Sequence, residues 1–184
     1  MSLTRTGGVK NAAHGFVGSW EILDAFVDPM GDNTKIEFGS VKEGALSVGR
    51  ELFNWQTNET PRRTAATVTT SINMAFTGQN EELTAGILHM QIGDGRIDDV
   101  STTAYVGDIA NDPYFSLRGE RHRGVDQSGT MTFFMYKAQA GADFELGSGD
   151  ELVTTPLTIN ALTDNANEFN SGGGTRLGWI NITG

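Results

Sequence analysis

The chain has 184 residues, of which 38% are hydrophobic and 20% charged, a composition that predicts a globular domain with a buried core. The absence of cysteine excludes disulfides, thiolate metal sites and cysteine nucleophiles. The net charge of −10 argues against nucleic-acid recognition, because phosphate contacts require Lys and Arg. We expect neither a membrane span nor a signal peptide, because no apolar run has the required length.

The first part of the chain predicts an arm followed by β-strands. Residues 1–18 are polar and contain glycine without any periodicity, which is typical of an arm. Strands are predicted in residues 20–27 and 34–40, where apolar residues cluster or alternate with charged ones. A longer strand is predicted in residues 45–56, before a polar loop that contains Pro61.

The clearest strand covers residues 64–77, where apolar and polar side chains alternate with a period of two. Val68, Ile72 and Phe76 share one parity, and β-branched or small polar residues occupy the other. Together with residues 45–56, this strand predicts a long hairpin.

A helix is predicted over residues 80–92. Asn80 is suited to cap it, and the acidic residues 81–82 match the positive end of the helix dipole. Ile87 and Met90 belong to an apolar stripe with helical spacing. We expect this stripe to lie on a sheet.

Further strands are predicted in the second half of the chain, between glycine-rich turns. They cover residues 102–106, 114–123, 130–138, 152–162 and 175–183. The polar residues 164–174 predict a linker before the last strand. The chain is therefore predicted to be mainly β, as a sandwich or barrel with one flanking helix.

No residue pattern typical of catalysis or metal binding is found. His14, His89 and His122 are far apart in sequence, so we interpret them as structural or surface residues, with His89 at the edge of the helix. The acidic residues 93–99 lack the ligand spacing of a calcium loop. We therefore expect no enzymatic activity, no cofactor and no metal.

Two groups of arginine interrupt the acidic background of the sequence. They are Arg62 and Arg63, and Arg118, Arg121 and Arg123. We expect these side chains to pair with carboxylates, either within the fold or across a boundary between subunits.

Four features follow one another in residues 20–165. The first two are the hairpin, which contains Glu-Thr-Pro-Arg-Arg at 59–63, and the alternating strand at 65–76. The other two are the helix at 81–91, which begins with acidic residues, and a late strand within 150–164 that contains Pro-Leu-Thr. This order resembles the tail tube, or major tail, proteins of long-tailed bacteriophages. The resemblance implies two packed antiparallel sheets with a flanking helix.

The resemblance also implies a function. Such a chain is a structural protein of the virion, made in the host cytoplasm, that forms hexameric rings stacked into a hollow tube. Its partners are further copies of itself, the tape measure, the tail terminator and the baseplate or tip proteins, and DNA passes through without specific binding. The implied organisation is an arm at 1–18, a tail-tube domain at 19–164 and a C-terminal linker and arm at 165–184.

The hairpin carries carboxylates that suit the lumen of such a tube. We expect Glu43, Glu51 and Glu59 to line it, because negative charge repels DNA phosphates. The arginines named above are the candidates for contacts between subunits.

Another interpretation is a β-sandwich binding module of a phage tail or virion that recognises carbohydrate or protein. Trp20, Trp55 and Trp179 are candidates for a sugar-stacking face, although Trp55 and Trp179 also follow strand patterns that suit a core. A third interpretation within the structural class is a tail terminator or a decoration protein of the capsid.

Overall fold

The computed structural model describes residues 20, 22–26, 35–38, 41–58, 64–92, 103, 114–123, 129–141, 145, 154–166, 169 and 175–183. These residues form eight strands and one helix. The strands are β1 (Ile22–Phe26), β2 (Lys35–Glu37), β3 (Val41–Gln56), β4 (Thr64–Asn80), β5 (Phe115–Arg123), β6 (Gly129–Ala140), β7 (Thr155–Leu162) and β8 (Gly178–Thr183), and the helix is α1 (Ala85–Ile92). The prediction of a mainly β chain with one short helix is confirmed.

Several predicted features lie outside the described residues. They are the arm at 1–18, the acidic stretch at 93–99, Glu59, Arg62 and Arg63, and most of the strand predicted at 102–106. Within the described part of the chain, no helix is long and apolar enough to cross a membrane.

The eight strands form one open antiparallel sheet in the order β2-β1-β5-β6-β7-β4-β3, and β8 also pairs with β6. The two sheets that the resemblance implied are therefore joined into one. The reason is that β6 has three partners, with β5 along one side and β7 and β8 on successive parts of the other. Thus β8 belongs to the sheet, although it falls within the predicted linker and arm.

The β3–β4 hairpin diverges from the rest of the sheet. Its strands contain 16 and 17 residues, and each is about 50 Å long at 3.3 Å per residue. Neighbouring β7 has only 8 residues and pairs with β4 over Ala75–Asn80. Among the described residues, the first part of β4, residues 64–74, pairs with β3 alone.

Three aromatic residues form the centre of the core. The Phe76 and Phe133 rings are stacked with their centroids 5.2 Å apart, and Trp20 meets them edge-on at 5.6 and 4.9 Å. Trp20 Nε1 donates a hydrogen bond to the Gly44 carbonyl oxygen at 3.1 Å. A Cβ atom at Gly44 would clash with the Trp20 indole, so this close approach requires glycine.

The helix begins later than the sequence predicted. Asn80 is the last residue of β4 instead of a helix cap, and its Oδ1 accepts a hydrogen bond from the Glu82 amide at 3.4 Å. Thr84 occupies the N-cap position, where its Oγ1 accepts from the Ile87 amide at 3.3 Å. Ile87 and Met90 are buried against the sheet, as the predicted stripe requires.

Candidate assembly surface: the hairpin and its cleft

The face of the sheet that forms the core continues onto the hairpin as exposed apolar surface. Met74 and Phe76 are buried, whereas Ile72 on the same face of β4 is 55% exposed. Val48 lies directly opposite Met74 on β3 and is 51% exposed. We call Val48 and Ile72 the base patch. Apolar and polar residues alternate along β4 as in a strand with one buried face, but no part of the described chain covers the base patch.

Further along the hairpin, a β-bulge moves the apolar side chains of β4 to the opposite face of the sheet. The register shifts between Glu51 and Leu52, which leaves Thr70 as an extra residue on β4, and Thr70 Oγ1 donates to the Glu51 carbonyl oxygen at 3.2 Å. Beyond it, Val68 lies opposite Phe53. Val68 therefore lies on the face opposite to the base patch, although it shares the parity of Ile72.

The outer part of the hairpin consequently has its own apolar surface. Phe53 and Trp55 follow each other on one face of β3, and Val68 lies across from Phe53. All three are exposed, with Trp55 at 64%. We call Phe53, Trp55 and Val68 the tip patch. The hairpin thus presents two apolar patches, one on each face, along its length.

A cleft of about 810 Å³ separates the hairpin from β8. It opens where β7 ends at Leu162, because β8 continues beside β6 while β4 diverges. The hairpin side of the cleft includes the base patch and Met74, together with the polar residues 69–71. The side formed by β8 and the residues before it includes Arg176, Leu177, Trp179 and Ile180.

The strands beside this surface have open hydrogen-bonding edges. Within the described chain, the outer edge of β3 is met only by the bridge between Val41 and Trp20. On the side away from β3, residues 64–74 of β4 likewise have no strand beside them among the described residues. The outer edge of β8 has none in the described chain either. Such edges expose backbone N–H and C=O groups that another strand can pair with.

The predicted lumen carboxylates do not form a cluster. Glu43 and Glu51 are both exposed on β3, but they are about 25 Å apart along the strand at 3.3 Å per residue. Glu43 has a φ angle of 56° beside the bulge that precedes Ala45. Glu51 lies opposite Ser71, in the middle of the hairpin. Their position relative to a lumen stays a prediction.

Among the predicted arginines, Arg118 has partners within the fold. Its Nη2 atom lies 3.2 Å from Asp24 Oδ2 and 3.8 Å from Glu120 Oε1. Asp24 is buried and also meets Lys35 Nζ at 3.2 Å. Arg121 is half-buried on the same strand. Asp24 was missed by the sequence analysis, although it is the sole charged residue of β1.

The three tryptophans lie in different environments. Trp20 is buried in the core, Trp55 is exposed on the tip patch, and Trp179 is 41% exposed and stacked on Phe134 with the ring centroids 5.8 Å apart. They do not form one sugar-stacking face, and neither Trp55 nor Trp179 belongs to the core. His89, predicted at the helix edge, is fully buried.

No protein-family model matches the chain, and no curated protein matches its sequence. Among solved structures, the fold is similar to a chain in the structure described as "Cryo-EM structure of the anti-feeding prophage (AFP) baseplate, 6-fold symmetrised". The TM-score is 0.47 and the sequence identity 10%, and the alignment covers 96% of this chain and 97% of that chain.

Proposed function

We propose that the chain is a structural subunit of a phage tail tube, which acts by self-assembly into stacked rings around a conduit for DNA. The observation that supports this proposal best is the β3–β4 hairpin. It combines long open edges with apolar patches on both faces. Exposed strand edges and exposed apolar patches of this kind mark interaction surfaces.

A second copy of the chain can both pair with the open strand edges of the hairpin and cover its apolar residues. A strand from a neighbouring copy pairs with the open backbone groups, and its apolar side chains cover the base patch. Ring closure removes the open edges altogether, because each copy then has a neighbour on both sides. The hairpin is long enough to contact more than one neighbour.

The choice of a tail tube over other assemblies comes from the order of elements in residues 20–165. The net charge of −10 suits a conduit, because DNA is repelled by an acidic wall and passes without adhesion. In this function the chain acts through contacts and not through catalysis. The tape measure, the tail terminator and the baseplate or tip proteins are its further partners.

Negative-stain electron microscopy of the purified chain tests the proposal. We expect hollow tubes with a regular repeat along the axis. Single rings that do not stack would instead favour a tail terminator. Monomers at the highest attainable concentration would contradict self-assembly.

A pair of variants ties the assembly to the hairpin. Ile72→Ser replaces an exposed apolar residue of the base patch, and we expect it to suppress the tubes. Leu83→Ser is the matched control, because Leu83 is 47% exposed but lies between β4 and α1, outside the base patch. Equal assembly by the two variants would mean that the base patch is not the contact surface.

A further inference from the structure

We propose that the cleft between the hairpin and β8 is a docking site for an acidic surface on a second copy of the chain, held there by Arg50 and Arg176. This inference rests on the proposed self-assembly and adds the chemistry of one contact. It concerns a pair of cations that the sequence analysis did not single out.

One arginine lines the cleft, and the other lies on β3 next to a residue that lines it. Arg176 lines the cleft and is exposed. Arg50 is exposed on the face of the base patch, directly opposite Ile72, which lines the cleft. Neither arginine has an ion pair within the part of the chain that the structure describes. In this they differ from Arg118, which pairs with the buried Asp24.

The surroundings of the two arginines favour an ionic contact. The described lining of the cleft contains no Asp or Glu, and it is mostly apolar or hydroxyl-bearing. A partner that fills the cleft excludes water, and an ion pair is then stronger than one at an open surface. Arginine and tryptophan, which both line the cleft, are also enriched in the energetically dominant parts of interfaces.

Charge complementarity identifies the occupant as a second copy. The chain has 23 acidic and 13 basic residues, so carboxylates outnumber the cations that can pair with them. Exposed carboxylates of the described chain include Glu43, Glu51, Glu82 and Glu145. Nucleic acid also carries negative charge, but phosphate binding requires several Lys or Arg side chains, and the described lining of the cleft contains one, Arg176. The open edge of β8 adds backbone hydrogen bonds for a strand of the second copy.

The test reverses both charges in the double variant Arg50→Glu/Arg176→Glu. Sedimentation velocity over a series of protein concentrations gives the concentration at which half of the chain is assembled. We expect this concentration to rise at least about tenfold, because two attractive pairs become repulsive. The double variant Arg50→Lys/Arg176→Lys keeps both positive charges and therefore the electrostatic complementarity, so it should stay within about threefold of the wild type.

Two further controls make the result specific. Lys42→Glu reverses an exposed cation of β3 that lies opposite Gln79, near β7, and we expect a much smaller effect. Raising the salt from about 0.1 M to about 1 M shortens the Debye length from about 10 Å to about 3 Å. We expect salt to weaken assembly of the wild type more than that of the Glu double variant.

The outcomes separate this inference from the proposed function. If the wild type forms tubes and the Glu double variant forms them equally well, the docking site is wrong and the proposed function stands. A wild type that stays monomeric overturns both. If instead a labelled DNA duplex binds the wild type, and the Glu double variant loses that binding but assembles normally, the cleft is a nucleic-acid site and the inference is overturned.

Discussion

The inner and outer parts of strand β4 carry similar residues in very different surroundings. Phe76 is fully buried in the aromatic centre of the core, whereas Ile72 and Val68 are more than half exposed on the hairpin. The change occurs where β7 and the core end beside β4. Apolar residues at every second position therefore predict that one face of a strand will be buried. They do not predict whether the same chain or another molecule buries it.

This difference divides the sheet into two functional regions. The inner region stabilises the monomer through Trp20, Phe76, Phe133 and the helix. The outer part of the hairpin, beyond the buried Met74, contributes little buried surface to the monomer and is available to a partner. Substitutions in the inner region should lower the free energy of unfolding, and matched substitutions on the hairpin should affect assembly instead.

The largest effect is expected for Phe76→Ala. Removing a ring from the aromatic centre leaves a cavity, and the free energy of unfolding should fall by about 3–5 kcal/mol. Phe53→Ala on the tip patch should change it by less than about 0.5 kcal/mol, because Phe53 is exposed. Urea unfolding followed by tryptophan fluorescence, at concentrations below assembly, measures both. Equal losses in the free energy of unfolding for the two variants would contradict the division of the sheet into two regions.

Glycine substitutions provide a second matched pair. Gly44→Ala places a Cβ atom against the buried Trp20 indole, and we expect a loss of about 2 kcal/mol. Gly49→Ala on the hairpin meets the exposed Asn73 side chain, which can rotate away, so the loss should be much smaller. Thermal unfolding compares the two. A larger loss for Gly49→Ala would show that the hairpin is the more tightly packed region.

Substitution of one carboxylate in the inner region and one on the hairpin compares the contribution of charge in the two regions. Asp24→Asn weakens the pairing of a buried carboxylate with Lys35 and Arg118. We expect a loss of about 2 kcal/mol, below the 3–5 kcal/mol typical of fully buried pairs, because both cations are more than a third exposed. Glu51→Gln on the hairpin should leave the free energy of unfolding almost unchanged. Urea unfolding of both variants tests this, and an unaffected Asp24→Asn variant would contradict it.

The smallest effect is expected at two threonines. Thr84→Ala removes the N-cap of α1 and should cost about 1 kcal/mol. Thr67→Ala removes an exposed hydrogen bond to Asn54 Oδ1 on the hairpin, and the expected loss is below about 0.5 kcal/mol. Thermal unfolding that ranks Thr67→Ala as the costlier change would argue against the assigned cap.

Local patterns in the sequence predicted most of the strands. The alternation within 64–77 corresponds to β4. The later strands at 114–123, 130–138 and 152–162 correspond to β5, β6 and β7. These predictions succeed because a strand with one buried face has a strict period of two.

The errors arose where contacts distant in sequence decide the structure. The bulge at Thr70 moves Val68 to the face opposite Ile72, and it depends on the register with β3. Asn80 belongs to β4 because Thr155 of β7 pairs with it, so the helix starts after Thr84. The exposure of the base patch could not be predicted, because periodicity does not reveal where the neighbouring strand ends.

Hydrogen exchange of the hairpin amides, compared below and above the assembly concentration, tests the central claim most directly. We expect the outward-facing amides of β3 and of residues 64–74 in β4 to exchange rapidly in the monomer and to become protected on assembly. Amides of β5 and β6, already paired in the monomer, should change little. Assembled particles whose hairpin amides stay as unprotected as in the monomer would contradict the account.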